Sequence, residues 1–208
     1  MGTRTTIFLC RHAQPENPDG VMYGHLPGFG LSNLGDRQAE GLGDFLRDYP
    51  VRAFYVSPLQ RAQETARLAM ARLGREVPQH TRDDLVEAAF GKYLEGVKRW
   101  QVPLRRPLFF VHAVRPGVLS FDETVPEMAE RVDRVCKEAL EATAGGAAVL
   151  VGHSDPIKAF WNRFLGQADW RFHLLELDKG GFLELEYDDA RLVAITPHTA
   201  LVAESPAA

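Results

Sequence analysis

Ile7-Phe8-Leu9-Cys10-Arg11-His12 runs four apolar residues straight into two that can carry positive charge. The same grammar returns twice. Ala53-Phe54-Tyr55-Val56 leads into Ser57-Pro58, after which Leu59, Ala62, Ala66, Ala69 and Leu73 recur at helical spacing. Ala147-Ala148-Val149-Leu150-Val151 leads into Gly152-His153. Apolar runs of this length, uninterrupted by polar residues, suit strands buried on both faces, as in a parallel sheet covered by helices. Ser32 to Arg47, with Ser32 as N-cap, and Glu127 to Ala142, with Met128, Val132, Val135 and Leu140, read as amphipathic helices. Helices alternate with strands as crossover connections require, so the expected class is α/β. Near the end, Asp178-Lys179-Gly180-Gly181 and the alternating Phe182-Leu183-Glu184-Leu185-Glu186-Tyr187 predict an antiparallel hairpin.

The 208 residues are read as one domain, 1–208, long enough to bury a core without disulfides. Within it, 103–125 is broken by Pro103, Pro107, Pro116 and Gly117 and resembles an excursion that could lie over a site as a lid. The tail 203–208 is expected to fray. A net charge of −4 with scattered arginines argues against nucleic acid as partner. No stretch approaches the ~20 apolar residues of a membrane span, and the four before Arg11 are too few for a signal peptide. Cys10 and Cys136 form no metal or redox spacing and fit a reducing, cytoplasmic setting. A homodimer is compatible with the sequence.

In an open α/β sheet, ligands bind beyond the carboxyl ends of the strands. All three elbows end there and deliver Arg11, His12, Arg61 and His153 to one place. Such a set suits a phosphate, because guanidiniums pair with its oxygens through parallel hydrogen bonds and no cofactor or metal is required. A neutral imidazole is a good nucleophile near pH 7, which makes His12 the candidate for a covalent phosphohistidine. Charge on the equatorial oxygens would face Arg11, Arg61 and a protonated His153. Glu87, flanked by apolar Val86 and Ala88, has the setting that raises a carboxyl pKa towards general-acid work, with Glu95 and Asp122 as rivals.

Arg11-His12, Ser57-Pro58-Leu59-Gln60-Arg61-Ala62-Gln63-Glu64-Thr65-Ala66, Leu85-x-Glu87-x-x-Phe90-Gly91 and Gly152-His153 resemble the ordered blocks of the histidine phosphatase superfamily, the phosphoglycerate mutase-like family. The second block matches at seven fixed positions. The resemblance implies a three-layer α/β/α sandwich with a mainly parallel sheet, a phosphohistidine on His12, phosphate contacts from Arg11, Arg61 and His153, and Glu87 as proton donor. Asn17, Gly24 and His25 join the phosphate-binding set by position. Asp122-Glu123-Thr124 stands where the family often has Gly-Glu-Ser and would shape the substrate entrance.

Four departures accompany the match. Ala13 replaces the usual glycine and resists a positive φ. Asn17 lies five residues after His12 instead of six. Tyr23-Gly24-His25 stands where Gly-Arg is common, and the Phe90 to Gly96 segment carries one extra residue. The reading is therefore a metal-independent phosphatase acting on a small phosphorylated metabolite. Its alternatives are a phosphomutase and a non-catalytic phospho-ligand binder. A cysteine phosphatase fails because the fifth-spaced arginine after Cys10 is absent and Glu16 stands there instead. A serine hydrolase lacks its second glycine around Ser154, and His153-x-Asp155 has no further metal-ligand cluster beside it. His112 and Arg115, within the excursion, are weaker substrate-contact candidates; His173 and His198 are expected to be structural or exposed.

Overall fold

The computed structural model describes residues 2–115, 117–119 and 121–202. Six strands make one sheet: β1 (Arg4–Arg11), β2 (Val51–Val56), β3 (Gln79–Thr81), β4 (Ala147–Gly152), β5 (Phe182–Asp188) and β6 (Arg191–His198). Their order is β3-β2-β4-β1-β5-β6; the first four are mutually parallel, and β5 and β6 add antiparallel to β1. Successive side chains of a strand point to opposite faces, and both faces here are apolar. Ile7, Leu9, Ala148 and Leu150 enter one core with Val132, Val135, Ile157 and Phe160. Phe8, Cys10, Val149 and Val151 enter the other with Leu42, Leu46, Ala62, Ala66 and Ala69. The uninterrupted apolar runs thus have a physical cause in burial on both sides, and the architecture is the three-layer sandwich.

Helices α1 (Asn33–Leu46) and α2 (Gln60–Leu73) cover the second face. Ser32 caps α1 by accepting the Gly35 N–H at 3.1 Å. Three short helices follow: α3 (Phe90–Leu94), α4 (Val102–Arg105) and α5 (Phe109–Val114). The first face is covered by α6 (Val125–Thr143) and α7 (Ser154–Phe164). Helix α6 begins two residues before the expected Glu127 because Thr124 and Glu127 form a capping box. No helix among the described residues is long and apolar enough to cross a membrane.

After the first elbow the chain loops to Asn33 before α1 starts. The expected C-terminal antiparallel hairpin is β5 and β6, and it turns at Asp189, in the left-handed region with φ of 52°, whereas the turn-like Asp178 to Gly181 precedes β5. The earlier turn serves the site instead, since Gly181 O accepts from Arg11 N at 3.0 Å and Gly180 N donates to His12 O at 3.1 Å. The 103–125 excursion holds α4 and α5 on a small apolar cluster of Phe90, Leu94, Val97 and Val102 with Met22 and Phe109. The tail expected to fray, 203–208, lies outside the described residues.

Candidate active site

Strand register decides which side chains meet. Arg11 is level with Gly152 across β1 and β4, and Val56 is level with Val151 across β2 and β4. His12, Ser57 and His153 therefore leave the sheet side by side, an arrangement sealed by His12 N to Gly152 O at 3.0 Å and Ser57 N to Val151 O at 2.9 Å. The rings of His12 and His153 stand 5.1 Å apart, centroid to centroid. Arg61, one residue into α2, brings Nη2 to 3.1 Å from His153 Nδ1 and donates to Gly24 O at 2.9 Å. Its guanidinium lies 4.7 Å from the Tyr23 ring centroid. The structure brings Arg11, His12, Arg61 and His153 together at the carboxyl ends of the strands.

Each imidazole is held in one orientation. His12 Nδ1 lies 2.7 Å from the carbonyl of Ala13, so that nitrogen carries the proton and Nε2 keeps its lone pair. Ala13 needs no glycine here, because its φ is not positive and its contribution is a backbone carbonyl. Thr65 fixes that peptide: its Oγ1 accepts from Ala13 N at 3.0 Å and donates to Arg61 O at 2.7 Å. His153 Nε2 is 2.8 Å from Ser57 Oγ. With Arg61 donating to Nδ1, His153 donates from Nε2 to the serine.

Burial pushes the His12 pKa well down, and the charges of Arg61 and Arg11 push it further. His153 is lowered by burial first, then by His12 and Arg61. Without an anion both rings are pushed towards the neutral form, so the protonated His153 expected to face transition-state charge would need that charge to draw its proton. Arg61 is 1% exposed, and the Nε atoms of Arg11 and Arg61 are buried without hydrogen-bond partners. Buried guanidiniums with unused donors are costly unless an anion supplies acceptors. The chemistry of this floor is anion binding next to a nucleophilic nitrogen.

A cavity of about 260 Å³ adjoins this floor at Arg11 and is lined also by Tyr23, Gly24, Glu87 and residues of α3, α5 and the start of α7. Glu87 is raised chiefly by burial and then by the Asp155 carboxylate, against the pull of Ala88 N–H, Arg61 and Arg11. Its loop is clamped from α6: Arg131 donates to Val86 O and Asp84 O at 2.7 Å, and Glu123, paired with Arg131, accepts from Ala89 N at 2.9 Å. Of the rival acids, Glu95 accepts from His25 N, and Asp122 is committed to His112, Gly117 N and Glu123 N. Neither lines the cavity.

Two of the three substrate-binding expectations change. Asn17 spends both ends of its amide on the backbone of Val21, at 2.8 and 3.0 Å, so it ties a loop instead of meeting an anion. His25 turns its ring to Ala88 O at 3.2 Å and does not line the cavity. Gly24 does line it, with φ of 42° and a site for Cβ only 2.5 Å from Gly91 O, so no side chain fits. Sequence reasoning missed Thr65, Ser57, Arg131, Asp155 and His173. The first two lay in plain view inside the second block. His112, a weaker candidate, is a cavity wall, whereas Arg115 is exposed and is not.

Comparison with known proteins gives the same answer from another direction. The family model described as histidine phosphatase superfamily (branch 1) matches residues 7–197. The chain belongs to the histidine phosphatase superfamily. As a histidine phosphatase it is similar to the uncharacterized protein Rv0525 of Mycobacterium tuberculosis, 32% identical over 94% of this chain and 96% of that one. It is also similar to the 2,3-bisphosphoglycerate-dependent phosphoglycerate mutase of Thermoplasma acidophilum, 26% identical over 90% of each. Among solved structures, YhfR of Bacillus stearothermophilus superposes with a TM-score of 0.83 at 21% identity, covering 96% of this chain and 100% of that one. That likeness concerns the fold.

Proposed function

We propose that this histidine phosphatase hydrolyses a small phosphomonoester through a phosphohistidine at Nε2 of His12, without a metal ion. The observation that carries the reading is the 2.7 Å contact of His12 Nδ1 with Ala13 O, which leaves Nε2 unprotonated beside the buried Arg61 and the half-buried Arg11. In the first step Nε2 bonds to phosphorus and the ester oxygen departs with a proton from Glu87, whose raised pKa favours the acid form. Arg11 and Arg61 face the equatorial oxygens, where charge is greatest in the transition state. In the second step a water attacks the phosphohistidine, Glu87 takes its proton, and His12 and phosphate are released. The two buried free thiols, Cys10 and Cys136, suit a reducing cytoplasm.

A second reading is supported by the mutase relative: the phosphohistidine could return its group to another hydroxyl of the substrate. One experiment separates them. Purified protein given p-nitrophenyl phosphate in chelator is expected to release phosphate and to carry an acid-labile, alkali-stable label on His12, and His12→Ala is expected to lower turnover by about 10⁴-fold or more. Isomer formation from 3-phosphoglycerate and a bisphosphoglycerate primer, with no phosphate release, would replace the hydrolase by the mutase. An absolute requirement for a divalent ion would overturn both.

A further inference from the structure

We propose that the part of the active-site cavity lining built from His112, His173, Ser154 and Asp155 reads hydroxyl groups on an uncharged leaving group, which makes the substrates phosphomonoesters of polyols or sugars. This rests on the hydrolase reading above and adds the substrate class.

The cavity lining is mixed: Met22, Phe90, Leu94 and Phe109 are apolar, and the four wall residues are polar. His173 is the telling member. Its Nε2 is buried without a hydrogen-bond partner, and its ring is packed on Phe172 with centroids 3.9 Å apart. Its pKa is lowered, first by burial. A buried ring nitrogen without a partner beside a cavity is a group that a ligand hydroxyl can satisfy as donor or acceptor, and leaving it unsatisfied is costly.

His112 is fixed as firmly. Its Nδ1 is 2.6 Å from the buried Asp122 carboxylate, and its ring lies flat on Phe90 at 3.9 Å with 4° between planes. With Nδ1 committed, Nε2 is the polar atom left to the ring. Hydroxyls can donate and accept, so they suit imidazole nitrogens in either role. A carboxylate only accepts.

Charge points the same way. Asp155 puts a carboxylate on this wall, and its cationic neighbour Lys158, at 3.6 Å, is not part of the lining. The cavity's two guanidiniums, Arg11 and Arg99, also line the adjoining cleft with Gln14 and Lys179, which none of the four wall residues reaches. A leaving group with its own carboxylate would meet the Asp155 carboxylate in this part of the lining.

A matched series tests this on the wild-type protein: propyl phosphate, glycerol 3-phosphate and 3-phosphoglycerate share a three-carbon chain and differ in hydroxyls and charge. Glycerol 3-phosphate is expected to exceed each of the others in kcat/KM by at least about tenfold, since a site built to bond a hydroxyl discriminates against its absence. In His173→Phe the ratio of glycerol 3-phosphate to propyl phosphate is expected to fall towards one. In Asp155→Asn the ratio of 3-phosphoglycerate to glycerol 3-phosphate is expected to rise. Equal efficiency across the wild-type series, preference for 3-phosphoglycerate, or no turnover of any of the three while p-nitrophenyl phosphate is cleaved would overturn the inference and leave the hydrolase reading standing. Failure to cleave p-nitrophenyl phosphate as well would remove the hydrolase reading itself.

Discussion

The residues around His12 hang from the ends of strands whose apolar runs are buried, whereas His112 hangs from a short helix in a segment that keeps Leu104, Phe110 and Val114 in solvent. At the floor, every orienting contact is made to backbone or to a side chain locked in the sheet and α2: Ala13 O, Thr65 Oγ1, Ser57 Oγ, Gly24 O. At the wall, orientation comes from ring stacking and from one carboxylate, Asp122. Nucleophilic attack tolerates little displacement, so the reacting groups sit where the fold is stiffest. Leaving-group recognition needs only complementarity, and it is carried by elements that can vary without disturbing the sheet.

Three substitutions or conditions probe that contrast, in descending order of expected effect. Glu87 stands between floor and wall, and Glu87→Gln is expected to lower kcat for alkyl phosphates by about 10²–10⁴-fold while affecting p-nitrophenyl phosphate less, because that leaving group needs no proton. Since Glu87 is raised, the acid form required for alkyl esters persists to higher pH than for an ordinary carboxyl, and activity should fall as pH rises through that raised value. The pH profile of the variant should lose this limb. Its persistence would assign the proton to another group.

Stability should divide in the same way. Leu150, fully buried in β4, is expected to cost about 2–5 kcal/mol when changed to Ala. Leu104, 81% exposed on α4, is expected to stay within about 0.5 kcal/mol. Urea denaturation of both variants checks this; a large loss at Leu104 would mean that the short helices are as integral as the sheet.

The smallest effect concerns pH and the floor alone. His12 and His153 are neutral when folded, because their pKa values are lowered, but gain protons when unfolded below the ordinary imidazole value of 6.5. Unfolding then takes up protons, so stability should decline as pH falls below about 6.5. Glu87 acts oppositely, since its raised pKa favours the folded state below the ordinary carboxyl value of 4.5 and loses that contribution as pH rises. Thermal melts from pH 7.5 to 5 should show the decline, and His153→Gln should flatten it.

Much of the floor was legible because its chemistry is local. The pair Arg11-His12, the block from Ser57 to Ala66 and Gly152-His153 each place a reactive side chain at a strand end, and a strand end has one location in such a sheet. The expectations that failed were those that depended on side-chain direction in loops. Asn17 turns to Val21 and His25 to Ala88, choices made by backbone groups a few residues or a whole segment away. Protonation was equally illegible, since His153 is neutral only because of how deeply it and its cationic neighbours are buried.

Sequence by itself determined the sandwich and the four groups of the phosphate floor, because apolar periodicity and strand-end position are properties of short stretches. Only the tertiary structure decided which nitrogen of each imidazole is free, which carboxyl reaches the cavity, and that His112 and His173 share a wall with Asp155. Those relations join residues from α5, α7 and the segment before β5, and no local pattern in a chain encodes the meeting of segments so far apart.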